Sequence, residues 1–258
     1  MAFTRSTEAN KNGKVMVIIP AAGKSQRMGG EIPKIFMEVD GLPVIVRTVK
    51  AFQEFANSKA MRNHTMSIVV VAAPDLVFKI QSLFRNYGIS VNEIVAGGDT
   101  RTESVANGIV ALGKTPFPPQ DNDIVFVHDG ARCMIDQDTL TRCLQGAYKY
   151  DIVAAAVPVK STIKVTDPTA DSEEPLVDNT PKRDELKEVQ TPQVFRCSKI
   201  VKCYDLALKS KIDAPDDSSL AEQLNFPVHL VDGAYTNIKI TTPEDIVIAE
   251  AFLKQQDN

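Results

Sequence analysis

The chain has 258 residues, 43% of them hydrophobic, with a formal net charge of −4 and a pI near 5.5. That length and apolar content can bury the core of one large α/β domain, while the acidic balance argues against a nucleic-acid surface. No run of about 18 apolar residues is present, and the polar start MAFTRSTEANKNGK lacks the apolar core of a signal peptide. The expectation is a soluble, cytoplasmic protein with no membrane or nucleic-acid partner. Cys133, Cys143, Cys197 and Cys203 form no C-x-x-C pair, so free thiols are expected in a reducing compartment. His64, His128 and His229 are scattered, which argues against zinc. A metal, on this composition, would be magnesium held through phosphate oxygens.

Residues 15–19 have the length and β-branched content of a central parallel strand. Ala21, Ala22 and Gly23 follow, small enough for backbone N–H groups to approach an anion. Arg27 and Lys34 come next, with Pro33 stiffening the chain before the lysine. This pattern is a phosphate cradle, and two commoner glycine loops do not fit it. A P-loop needs glycine where Ile18 stands. A dinucleotide fingerprint needs glycines where Ser25 and Met28 stand.

Apolar spacing then predicts a helix over 43–55, a strand over 67–73 and a helix from Pro74. A short strand over 92–95 ends at Gly97-Gly98, and a helix over 101–112 follows. The run 123–128 reads as another buried strand, leading into Asp129-Gly130-Ala131-Arg132. A helix over 136–150 and a strand over 152–157 continue the rhythm. Strands that are apolar throughout and alternate with helices indicate a Rossmann-like, mostly parallel sheet covered on both faces. Ligands bind such sheets beyond the carboxyl ends of strands, so residues 21–34, 97–104 and 129–132 form one converging site.

From Pro158 the rhythm breaks. Residues 159–166 alternate like an exposed strand, 167–175 are acidic and loop-forming, and 176–183 return as a partner strand. We read a protruding β-arm over about 158–186 on an otherwise single domain spanning 1–258. An arm with so little core of its own calls for a second subunit to cover it. Thr191-Pro192-Gln193 brings the chain back, followed by a helix over 198–208 and a short helix over 216–224 with an acidic cap. Strands over 228–231 and 237–240 and a helix over 243–253 complete the chain.

The segments PAAGKSQRM, PK, GGDTRTESVANG, VHDGAR, VPVKSTIK, TPQVF and NIKITTPEDIVIAEAFL stand in an order that resembles one family across 15–253. It is the 2-C-methyl-D-erythritol 4-phosphate cytidylyltransferases of the non-mevalonate isoprenoid pathway. The resemblance implies a nucleotide-diphospho-sugar transferase-like fold and a Mg²⁺-dependent homodimer. It also implies transfer of a cytidylyl group from CTP to the polyol phosphate with release of pyrophosphate. Arg27, Lys34 and Lys239 would be the catalytic cations around the triphosphate. Ala21, Ala22 and Gly23 would cradle CTP, Gly98, Asp99 and Ser104 would read the cytosine, and Asp129 would sit beside metal and triphosphate. Arg132, Thr162, Arg183 and Thr191 match positions that bind the acceptor, with Arg183 supplied by the neighbouring subunit's arm. Ser25 and Cys133 depart from the family's usual glycine and proline, and Pro215 stands where a threonine contacts the acceptor phosphate. Ribitol 5-phosphate is therefore the rival acceptor, and a catalytically silent nucleotide-binding protein is the rival class.

Overall fold

A computed structural model describes residues 13–23, 33–167 and 174–256. The chain opens with β1 (Gly13–Ala21), a short ribbon of β2 (Glu38–Val39) and β3 (Leu42–Pro43), and α1 (Val44–Ala56). Next come β4 (His64–Ala72), α2 (Val77–Asn86), β5 (Glu93–Ala96), α3 (Arg101–Leu112), β6 (Ile124–Val127), α4 (Gln137–Tyr150) and β7 (Ile152–Pro158). The arm carries β8 (Val165–Thr166) and β9 (Val177–Asn179). The chain ends with β10 (Lys187–Arg196), α5 (Cys197–Ser210), α6 (Asp217–Gln223), β11 (His229–Asp232) and α7 (Pro243–Gln256).

The main sheet has the order β11-β7-β10-β6-β1-β4-β5. Every pairing in it is parallel except those of β10, which runs antiparallel to both β6 and β7. Successive residues of a strand face opposite sides, and here both sides are covered. Val15, Val17 and Ile19 join a cluster with Phe52 and Phe55 of α1 and Leu140 and Leu144 of α4. Met16 and Ile18 join a second cluster with Val105 of α3 and Ile200 and Tyr204 of α5. That two-sided burial is why β1 reads as an unbroken apolar run. Phe52 meets Phe126 of β6 edge-on at 6.2 Å, and truncating such a buried aromatic costs about 3–5 kcal/mol.

The expected Rossmann-like architecture is observed, with three differences of detail. The segment 237–240 is not a strand. Asn237 Nδ2 donates to the Thr191 carbonyl at 2.8 Å, and Ile240 N–H donates to the Ala131 carbonyl at 2.8 Å. The segment thus spends its polar groups on loops, and Ile240 anchors in a small third cluster with Val39, Val44, Cys133 and Ala249. Residues 187–196 form a long strand rather than a mere returning segment, missed because Thr191-Pro192 interrupts the alternation. The β2–β3 ribbon turns at Asp40-Gly41, both at positive φ, a pair suited to a tight hairpin.

The arm pairs β8 with β9 in an antiparallel ribbon separate from the main sheet. Ile163, Val165, Leu176 and Val177 on it are exposed, as expected of a ribbon without its own core. All four cysteines are free and buried.

Candidate active site

Three loops meet at the carboxyl ends of β1, β5 and β6. Beyond β6, His128 N–H donates to the Ile18 carbonyl and Gly130 N–H to the Pro20 carbonyl, both at 3.0 Å. The chain therefore keeps tracking β1 past the strand and sets Asp129 at the mouth. A side chain at Gly130 would lie 2.9 Å from Ile45 Cδ1 and 3.2 Å from the Pro20 carbonyl, so glycine permits this approach.

The loop after β5 leans on the loop after β1. A Cβ at Gly97 would come within 3.1 Å of Ala22 Cβ and 2.6 Å of Ser104 Oγ. Gly98 N–H donates to Ser104 Oγ at 3.1 Å, so the serine hydroxyl ties this loop to α3. The helix begins with a capping box. Glu103 N–H donates to Thr100 Oγ1 at 3.1 Å, and Glu103 Oε2 accepts from the N–H groups of Asp99 and Thr100 at 2.7 and 3.2 Å. Gly23 is exposed, and a Cβ there would meet nothing within 4 Å.

Asp129 is the electrostatic centre. Lys239 Nζ lies 2.6 Å from Oδ2, and Arg101 Nη1 donates to Oδ1 at 3.2 Å. Burial alone would push this carboxyl up, but Arg101, then Lys239 and Arg132, hold it well below the usual carboxylate range. Arg101 also places Nη2 2.6 Å from Asp217 Oδ2. Burial disfavours its charge, yet Asp217 and Asp129 more than offset that and raise its pKa. Asp217 accepts in turn from the Tyr204 hydroxyl.

Beneath Asp129 lies a relay. Its N–H donates to Thr191 Oγ1 at 3.1 Å, and that oxygen lies 3.1 Å from His128 Nδ1. His128 Nε2 lies 2.9 Å from the Arg132 carbonyl. A carbonyl can only accept, so Nε2 carries the proton and Nδ1 accepts from the threonine hydroxyl. Burial lowers the His128 pKa to about 4, so the ring is neutral. Arg132 Nη1 donates to the Asn237 carbonyl at 2.8 Å, which joins the β6 loop to the segment carrying Lys239. Its burial lowers its pKa, although Asp129 opposes this.

The profile of the 2-C-methyl-D-erythritol 4-phosphate cytidylyltransferase family matches residues 15–255. A protein of that name from Caldanaerobacter subterraneus is 40% identical over 243 residues, covering 93% of this chain and 99% of its own. One from Dehalococcoides mccartyi is 40% identical over 245 residues, covering 95% and 98%. The crystal structure of 4-diphosphocytidyl-2C-methyl-D-erythritol synthase from Anaerococcus prevotii superposes with a TM-score of 0.74 at 30% identity, covering 94% of this chain and 99% of its own. The chain belongs to the 2-C-methyl-D-erythritol 4-phosphate cytidylyltransferase family.

Within this cytidylyltransferase, the residues named from sequence fall into four groups. Ala21, Ala22, Gly98, Ser104, Asp129, Arg132, Thr191 and Lys239 gather around the three loops, and exposed Asp99 borders them. Lys34 opens a single 3₁₀ turn, Lys34–Phe36, and is half-buried. Thr162 and Arg183 stand exposed on the arm, where Arg183 Nη1 reaches the Lys160 carbonyl at 3.5 Å. Arg27 lies outside the described residues.

Sequence reasoning missed Arg101, Asp217, Tyr204 and Asn237. Arg101 was recoverable as the first helical residue behind a glycine loop. Asp217 was hidden by Asp216, which is the true cap and accepts from Ser219 N–H at 2.7 Å. Two clefts, about 470 Å³ between α2 and β5 and about 420 Å³ beside α1, are lined by none of these residues. Chemistry rather than concavity marks the site.

Proposed function

We propose that the residues gathered at the three loops carry out the family's reaction, assisted by Arg27, Lys34 and a second subunit's arm. The chain is a nucleotidyltransferase that joins CTP to 2-C-methyl-D-erythritol 4-phosphate, giving 4-diphosphocytidyl-2-C-methyl-D-erythritol and pyrophosphate in isoprenoid biosynthesis. The observation that carries the site assignment is Asp129 at the end of β6, held between Arg101 and Lys239 beside two small-residue loops.

An acceptor phosphate oxygen is anionic near neutral pH, so it attacks the α-phosphorus of CTP without a general base. The bond to the β-phosphate bridging oxygen breaks as the new one forms. The protein's task is to hold two anions together and to meet the charge of the transition state with fixed cations. Lys239 and Arg132 stand at the loops, and Lys34 with the backbone N–H groups of Ala21, Ala22 and Gly23 would add to the anion-holding set. The neutral His128 takes no part in proton transfer and instead fixes the floor. Buried Cys133, whose thiol burial pushes up to about 11, has no chemical task here.

Magnesium fits in one form. No cluster of three or more histidine, cysteine or acidic residues able to hold a metal occurs among the described residues, which excludes a cage made by them. Phosphate oxygens suit Mg²⁺ as its main ligands, with Asp129 beside the ion as the carboxylate that would support it. When bound, the ion would neutralise phosphate charge.

Exposed Ile163, Leu176 and Val177 on the arm support a homodimer in which Arg183 and Thr162 reach the partner's site. No helix among the described residues is long and apolar enough to cross a membrane.

Pyrophosphate release from CTP and Mg²⁺ tests this reading, with methylerythritol 4-phosphate against ribitol 5-phosphate and UTP as the nucleotide control. Turnover confined to CTP and methylerythritol phosphate is expected. Preference for ribitol phosphate would overturn the acceptor, and no release from any pair would overturn the reaction.

A further inference from the structure

Arg101 faces two carboxylates at once. Nη1 meets Asp129 Oδ1 at 3.2 Å and Nη2 meets Asp217 Oδ2 at 2.6 Å. The second contact is the better anchored. The Asp217 side chain is 0% exposed, and its other oxygen accepts from Tyr204 of α5, itself buried. The next residue, Ser218, donates its N–H to Gln193 Oε1 of β10 at 2.7 Å, and Asp216 caps α6 from the other side. Three elements thus immobilise Asp217. With Lys239 on the far side of Asp129, the chain of charges runs Lys239, Asp129, Arg101, Asp217 from the open mouth into the core.

Such a chain is a poor device for stability alone. Taking charges out of water costs several kcal/mol per ion, and well-packed apolar residues often serve a core as well or better. What the arrangement secures is direction. A planar fork pinned by one carboxylate points its other nitrogen at a fixed place, which a lysine ammonium does not do.

We infer that Arg101, anchored by Asp217 and Tyr204, is a positioning residue of the transfer reaction: it holds Asp129 by Oδ1 and so presents Oδ2 to Lys239 and the site. Arg101 acts through Asp129. The inference rests on the cytidylyltransferase reading, and its test separates the two.

The variants are Arg101→Lys, Asp217→Asn and Tyr204→Phe in the full chain, followed by pyrophosphate release, calorimetric CTP binding and thermal unfolding. An ammonium reaches one carboxylate only, so Arg101→Lys should lower kcat about 10²-fold, the effect of misplacing a group by about 1 Å, and raise the CTP Kd about threefold. Tyr204→Phe loosens only the anchor. It should lower kcat about threefold to tenfold with KM values near wild type, and also lower Tm because a buried carboxylate loses a donor, and Asp217→Asn should fall between the two in kcat. A purely structural tie would lower Tm and leave kcat intact, and that result in Tyr204→Phe and Asp217→Asn overturns the inference. If Arg101→Lys does not fold, Tyr204→Phe decides. If wild type releases no pyrophosphate with any acceptor, the reaction reading fails on its own, and calorimetry decides. Unchanged CTP affinity in Arg101→Lys then overturns the positioning role, whereas a threefold loss upholds it. Wild type that binds no CTP overturns both.

Discussion

Thr191→Val tests how the floor of the site is held. The two side chains have nearly the same shape, so the change removes one hydroxyl and little volume. That hydroxyl accepts from Asp129 N–H and donates to His128 Nδ1, each at 3.1 Å, in a place where His128 is 0% exposed and Asp129 7%. Valine strands a buried donor and a buried acceptor together. Each orphaned group costs about 1–3 kcal/mol, so the variant should lose about 3 kcal/mol of unfolding free energy, a large part of a typical 5–15 kcal/mol total. Urea unfolding followed by circular dichroism measures it, with an unchanged m-value showing that the denatured state is unaffected. Thr191→Ser keeps the hydroxyl and should recover most of the loss. An unfolding free energy for Thr191→Val within about 0.5 kcal/mol of wild type would refute the relay. A raised KM for the acceptor beside that unchanged stability would give the hydroxyl back to substrate binding.

Gly98→Ala would bring a Cβ to 2.4 Å from Glu103 Cβ, so the capping box must open. The KM for CTP should rise about tenfold and stability fall by about 1 kcal/mol, the worth of a cap, and steady-state kinetics with unchanged KM would contradict this. Lys239→Met leaves Asp129 paired with Arg101 alone. Pyrophosphate release should slow about 10²-fold, while Tm stays near wild type because the lysine side chain is 40% exposed; a rate within threefold of wild type would remove Lys239 from the machinery. His128 gives a pH signature. Its folded pKa is depressed by burial to about 4 from an ordinary 6.5, so the stability it contributes is present above pH 6.5 and lost as pH falls through about 4. At about 1.4 kcal/mol per pH unit, urea unfolding at pH 7 and pH 4.5 should differ by about 2–3 kcal/mol. His64, also lowered by burial, adds in the same direction, and a flat profile down to pH 5 would refute both.

Legibility followed periodicity. Strands buried on both faces, such as β1 and β4, announce themselves because every residue is apolar, and the loops behind them follow from the rule that places ligands at strand ends. β10 was hidden because its middle carries Gln190, Thr191 and Gln193, polar residues that face loops and α6 rather than alternating with apolar ones. Its register against β7 shifts between Val189 and Gln193, as it does where an irregular strand re-aims side chains. The 237–240 segment misled in the opposite sense: Ile238 and Ile240 alternate with polar residues, yet Ile240 anchors a loop to Ala131. Lys239 and Asp129 were legible through family resemblance. Their link to Arg101, Asp217 and Tyr204 was not, since nothing local in sequence tells a buried aspartate from the capping aspartate beside it.

The arm's attachment has a mechanical meaning. It leaves the sheet at Pro158 and returns at Lys187, residues paired directly opposite each other. Both roots therefore sit side by side at the end of the sheet that bears the site, so the β8–β9 ribbon hangs from a two-point clasp. An exchange of the β8–β9 ribbon for that of a relative should leave the sheet order intact. The return root runs on through Gln190 and Thr191 to the ground under Asp129. A pull on the ribbon therefore reaches the base of the carboxylate along the returning strand.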